Sequence, residues 1–387
     1  MGCVNDNQAR PLTRTSMRDA HRVVIKIGSS SLTGEDGRLD GAALHALVDV
    51  IAARRAAGHE VLLITSGAIA AGLAPLGLSA RPGDLATAQA AASVGQGLLV
   101  ARYTEAFASH GLRVAQVLLT AEDTIRRGHY RNVQRSLERL LDLGVVPIIN
   151  ENDAVATGEI RFGDNDRLAS LVSHLVHADA MILLTDVDGL YDGNPALPGT
   201  SRIPEVLSPA DIADVDASSK GSSVGTGGML TKLEAVSIAT STGVPVVLTK
   251  AENVAQALAG EDVGTWFAVT GRRMTRRRLW LRYAARARGR LVLDEGAVRA
   301  VLAGRASLLP AGITGVEGDF ESSDPVELVD PAGKVVARGL VSYDSQELPE
   351  LLGRTTPDLR DDLGEGYDRA VVHRDDLVLV RKPRRSA

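Results

Sequence analysis

The chain has 387 residues, 44% apolar and 24% charged, and its 43 Lys+Arg against 48 Asp+Glu leave a formal charge of -5. That size and apolar content suit one large domain plus a small one, while the acidic balance and a 3% aromatic share argue against nucleic acid or an anionic membrane as partner. A single cysteine, Cys3, excludes an intramolecular disulfide and a cysteine zinc site, in keeping with a reducing, cytoplasmic setting.

Residues 1–20 are polar, lack the apolar core of a secretory signal, and read as a disordered extension. No run reaches the roughly 20 apolar residues of a membrane helix. From residue 23 onward, short β-branched runs at 23–27, 61–65, 114–119, 145–149, 181–185 and 244–248 alternate with helix-spaced apolar sets. One such set is Val133, Leu137, Leu140 and Leu141; another is Leu168, Leu171, Val172, Leu175 and Val176. The strand runs are continuously apolar, as in strands covered on both faces, so the expected fold class is α/β with an open, mainly parallel sheet between helices.

The pattern changes after residue 270. An arginine-dense stretch at 272–290, which includes Trp280 and Tyr283, reads as a junction between domains or subunits. Beyond it, strand runs at 291–293, 326–329, 335–341 and 370–372 are separated by Gly, Pro and Asp turns, which predicts a small β-rich module. The expected domains are therefore 21–285 and 289–370, followed by a last strand and basic tail at 371–387. Residues 289–387 hold 18 acidic and 13 basic side chains, a poor surface for a polyanion.

In an open parallel sheet, ligands bind beyond the carboxyl ends of the strands. Here those ends carry Lys26-Ile27-Gly28-Ser29, Thr65-Ser66-Gly67, Asn150-Glu151-Asn152-Asp153 and Thr185-Asp186-Val187-Asp188-Gly189. Glycine after a strand lets backbone approach a phosphate, and the following helix start offers N–H donors. Gly225-Thr226-Gly227-Gly228-Met229-Leu230-Thr231-Lys232 lacks Walker A spacing but reads as a glycine loop opening a helix near Met229. In Gly163-Asp164-Asn165-Asp166, two carboxylates flank an amide at the start of another helix, where capping and a ligand role are compatible. Lys26 lies inside a strand that should be buried, where an unpaired lysine is costly, so a functional role is expected for it. Glu151 and Asp188 are read as structural.

These segments, in this order and at this spacing, resemble the glutamate 5-kinase family of amino acid kinases. Asn150-Glu151-Asn152-Asp153-Ala154-Val155-Ala156 and Gly225-Thr226-Gly227-Gly228-Met229 carry most of the resemblance, whereas Thr185-Asp186 through Gly189-Leu190-Tyr191 is shared more widely among amino acid kinases. The C-terminal segments Asp294-Glu295-Gly296-Ala297 and Ser307-Leu308-Leu309-Pro310-Ala311-Gly312-Ile313 are similar to the PUA domain. The resemblance implies that Lys26 and Lys232 bridge the transferring phosphoryl group and that Asp166 holds them in register. It implies glutamate binding by Ser66, Asn150, Asp153 and Asn165. ATP binding, with Mg2+, falls to Lys26, Gly28, Ser29, Thr185, Asp186, Thr226, Gly227, Gly228, Met229 and Lys232. A homo-oligomer and feedback inhibition by proline are further implications.

The chemistry suits that set. A glutamate side chain, with a pKa of about 4.3, is an ionised nucleophile at neutral pH and needs no general base. The obstacle is repulsion between two anions, which lysines, Mg2+ and positioning can offset. Two other readings are a different amino acid kinase, acting on acetylglutamate, aspartate or carbamate, and an RNA-binding PUA protein. The specific motifs weigh against the first, and the acidic C-terminal module against the second.

Overall fold

Continuous runs of Val, Ile and Leu flanked by glycine or polar turns build strands buried on both faces. In the computed structural model these are β1 (Arg22–Ile27), β2 (Glu60–Ile64), β3 (Arg113–Leu119), β4 (Val145–Glu151), β5 (Ala180–Thr185), β6 (Glu205–Val206), β7 (Val246–Lys250) and β8 (Thr265–Phe267). They form one sheet in the order β3-β4-β2-β1-β5-β7-β8-β6, parallel throughout except where β7 meets β8. The structure describes residues 13–34, 39–120, 123, 127–155, 165–195, 197, 199–212, 215, 228–270, 281, 287–303, 306–354, 359–360, 362 and 369–380. The chain divides into two compact units, Met1–Arg273 and Met274–Ala387.

In the first unit, helices α1 (Gly41–Ala56), α2 (Ala68–Leu73), α3 (Leu85–Ala108), α4 (Arg127–Asp142), α5 (Asn165–Leu175), α6 (Met229–Ser241) and α7 (Val254–Ala259) accompany the sheet. One sheet face, carrying Val23, Ile25, Leu63, Ile182 and Val247, joins Leu47 and Ile51 of α1 and Leu99 and Phe107 of α3 in a single core. The opposite face meets α5 and α6. There Ser170 of α5 donates to the Ala235 carbonyl of α6 at 2.7 Å and lies 3.9 Å from Met181 Sδ of β5. Side-chain alternation then puts Lys26, Leu183, Thr185, Leu248 and Lys250 on this second face, because Lys26 is paired with Leu183, Leu183 with Leu248 and Thr185 with Lys250.

Two expectations need correction here. Residues 14–19 do not belong to a disordered extension: they form a 3-10 turn, with Met17 fully buried in the first core. Arg14 donates to Asp262 at 2.5 Å, to the Val263 carbonyl at 3.1 Å and to the Pro204 carbonyl. One apolar anchor and one multidentate arginine order a segment whose composition is otherwise polar. The last strand run, expected at 370–372, instead begins at Val372 and extends to Leu379, inside the 371–387 segment expected to hold the last strand.

The second unit is a five-stranded sheet of β9 (Gly289–Leu293), β10 (Ile313–Gly318), β11 (Pro325–Val329), β12 (Val335–Val341) and β13 (Val372–Leu379), in the order β10-β9-β11-β12-β13. All neighbours are antiparallel except β11 and β9. Leu291, Leu293, Phe320, Val326, Leu328 and Tyr343 lie in its separate core. Trp280 and Tyr283 lie outside the described residues.

Candidate active site

The carboxyl ends of β1, β2, β4 and β5 share one edge of the first sheet, and the starts of α5 and α6 come to the same edge. Lys26, in β1, is 3% exposed, and Asp166, in the first turn of α5, is wholly buried. The Lys26 ammonium contacts Asp166 Oδ1, while Lys232, in the first turn of α6, reaches Asp166 Oδ2 at 3.1 Å. Three elements distant in sequence thus meet at one carboxylate. Burial opposes ionisation of Asp166, but the Lys26 and Lys232 charges outweigh it and bring its pKa down to about 2. The trio keeps a single net positive charge in a sheltered place, an arrangement suited to an anion that both ammonium groups can reach. Gly28 leaves room in front of it: a Cβ there would stand 3.7 Å from the Lys26 ammonium.

Beside the trio lies an amide network. Asn165 Nδ2 faces Ser66 Oγ at 2.9 Å, Asn150 Oδ1 at 2.9 Å and the Thr65 carbonyl at 3.0 Å. Asn150 Oδ1 also accepts the Glu151 backbone N–H at 2.9 Å, and Asn150 Nδ2 donates to Gln96 Oε1 at 2.7 Å. Gln96 Nε2 and Asn165 Oδ1 are buried with no hydrogen-bond partner among the described residues. Buried polar groups are rarely left unpaired; a donor and an acceptor left open in one network fit a zwitterionic ligand.

The backbone explains how Gln96 comes so close. Gly67 turns the chain from β2 into α2 at φ 96°, a conformation glycine adopts without strain. Gly72 of α2 and Gly95 of α3 then bring the two helices together main chain to main chain. A Cβ on Gly72 would lie 1.9 Å from the Ala91 carbonyl oxygen, and one on Gly95 would lie 1.8 Å from that of Ala68. Beneath them Tyr103 OH and Thr65 Oγ1 are 3.0 Å apart, and burial raises the Tyr103 pKa well above its ordinary value.

A model of the amino acid kinase family matches residues 21–250, and a PUA domain model matches residues 289–363. The chain belongs to the amino acid kinase family. Among its relatives, the glutamate 5-kinase of Streptomyces coelicolor is 61% identical over 368 residues, spanning 95% of this chain and 98% of that one. Those of Streptomyces avermitilis and Thermobifida fusca are 60% and 59% identical over 95% of this chain, spanning 99% and 96% of their own lengths. The resemblance carried by the sequence motifs is therefore to the family shown.

Other residues of this amino acid kinase singled out in the sequence fall around the same edge. Gly28 and Ser29 follow β1, and Ser29 begins a 3-10 turn. Thr185 is 3% exposed and donates to Asp186 Oδ1 at 2.8 Å, and Asp186 is exposed. Gly228 caps α6 and Met229 opens it. Asp153 stands half-buried in the turn after β4. Thr226 and Gly227, with Gly163 and Asp164, lie outside the described residues. Asp188 accepts from Tyr191 OH at 3.0 Å, and Glu151 is buried at the end of β4.

Sequence reasoning missed Gln96 and Thr265. Gln96 sits within a long helix with no local motif around it. Thr265, in the short edge strand β8, accepts the Leu190 N–H at 2.8 Å and donates to the Ile203 carbonyl at 2.6 Å, which ties down the loop after β5.

Proposed function

We propose that the chain transfers the γ-phosphoryl group of ATP to the side-chain carboxylate of L-glutamate, giving L-glutamyl 5-phosphate, the first step of proline biosynthesis. The observation that carries the reading is the buried Asp166 shared by Lys26 and Lys232 beside an amide network with an open donor and an open acceptor. Relatives named glutamate 5-kinase at about 60% identity over nearly the whole chain support the same substrate.

In this reading the glutamate carboxylate, already ionised, attacks the γ-phosphorus and ADP leaves. Lys26 and Lys232 lie along the oxygens where negative charge builds up, and Asp166 keeps both ammonium groups aimed. Ser66, Asn150 and Asn165 orient the amino acid, and Asp153 pairs its ammonium. Thr185, Asp186, Gly28, Ser29 and the stretch Thr226 to Lys232 hold the nucleotide. Mg2+ enters as part of the substrate, bound to the ATP phosphates, as is usual for this hard, strongly hydrated ion. We also propose that the protein works as a homo-oligomer in the cytoplasm and that proline inhibits it.

The test is trapping of the acyl phosphate as a hydroxamate, with Mg-ATP and L-glutamate, N-acetylglutamate or aspartate as acceptor. Glutamate should give the product; turnover of N-acetylglutamate alone would overturn the assignment. Gel filtration and a proline titration of the same reaction check the last two points.

A further inference from the structure

We infer that Lys250 is a third cation of the nucleotide site, placed to hold a phosphate nearer the nucleoside than the one between Lys26 and Lys232. This rests on the kinase reading given above and adds a residue to it. Lys250 ends β7 and is paired in register with Thr185 of β5, while Lys26 of β1 is paired with Leu183. Paired residues in neighbouring parallel strands project to the same side. Ser170 against Met181 marks that side as the one occupied by α5 and α6, the helices that bring Asp166 and Lys232. Lys250 therefore stands on the face of the lysine trio, two strands across from Lys26 and two residues further toward the open edge. With strands about 4.8 Å apart and a rise of about 3.3 Å per residue, the two Cα atoms lie about 12 Å apart.

Three features point to a ligand. Lys250 is half-buried, and its ammonium makes no hydrogen bond or ion pair among the described residues, so no carboxylate there competes with a phosphate for it. The neighbouring strand end carries Thr185 and Asp186, already assigned to the nucleotide. Electrostatics supplies the third. Asp166 cancels one of the two lysine charges beside it, so the trio opposes a polyanionic triphosphate with one net positive charge. A further cation along the same face eases that imbalance where the phosphate chain must run to reach the Thr185 edge.

The test is calorimetric binding of ADP and of adenosine to the full-length wild type and to Lys250→Met and Lys250→Arg. Loss of one charge-assisted phosphate contact should weaken ADP binding about tenfold in Lys250→Met. Adenosine binding should be unchanged, and Lys250→Arg should recover most of the loss. In turnover assays Lys250→Met should raise the KM for ATP and leave that for glutamate alone. Unchanged ADP affinity in a Lys250→Met protein with a wild-type melting curve would overturn the inference, as would equal losses for ADP and adenosine. A wild type that binds no ADP would overturn the kinase reading, and this assignment with it.

Discussion

The side-chain amide of Asn150 donates to Gln96 Oε1 at 2.7 Å, which turns the Asn150 oxygen toward Asn165. Gln96 itself contributes nothing that a local motif would reveal, yet it decides which end of Asn150 faces the strand edge. Replacing it by leucine should leave a buried Asn150 N–H unpaired, at a cost of about 1–3 kcal/mol. Gln96→Glu keeps the acceptor but puts a negative charge beside the proposed glutamate site. Both variants should raise the KM for glutamate and leave that for ATP nearly unchanged. Steady-state kinetics with a melting curve separate the outcomes, and an unaltered glutamate KM in both would rule out the positioning role.

Lys26→Ala and Lys232→Ala should each reduce kcat by about 10²-fold or more, the scale for removing one transition-state charge donor. Either variant turning over at the wild-type rate would remove that lysine from the mechanism.

For Asp166 the consequence is also visible in stability. Its folded pKa of about 2 lies below the ordinary aspartate value of 3.8. It therefore contributes stability that is fully present above pH 3.8 and is lost as pH falls through the folded value, an effect on the order of 2 kcal/mol. Denaturant unfolding of wild type and Asp166→Asn between pH 2 and pH 6 measures it. The variant should be less stable at pH 6 by about 3–5 kcal/mol, because two sheltered ammonium groups lose their partner, and the difference should shrink toward pH 2. A pH-independent difference would contradict the assignment.

If Asp153 pairs the glutamate ammonium as proposed, Asp153→Ala should raise the glutamate requirement strongly, since truncating one side of such a charge pair costs about 2–5 kcal/mol. The ATP requirement should change little. If the ATP KM rises instead, Asp153 belongs with the nucleotide.

Much of this was legible in the sequence, for identifiable reasons. A strand covered on both faces is a run of Val, Ile and Leu, so β1, β2, β4 and β5 declare themselves, and the polar residues after them mark the ligand edge. Lys26 stood out because a lysine inside such a run needs a partner; Asp166 is that partner, 140 residues later, and no periodicity links the two. Gln96 and Thr265 were hidden because their neighbours look like ordinary helix and ordinary edge strand. β8 is three residues long, too short for any alternation to register. The turn at 14–19 went unread because its order depends on Arg14 finding carbonyls about 190 and 249 residues away.

The crossing of Gly72 and Gly95 has a mechanical consequence. Two helices joined through side chains can slide when rotamers change, but these two touch through main-chain atoms that have no rotamers. Gln96, on one helix, is therefore carried on a stiff body whose other helix begins two residues after Ser66. Movement that admits or releases the amino acid is expected in elements outside that body.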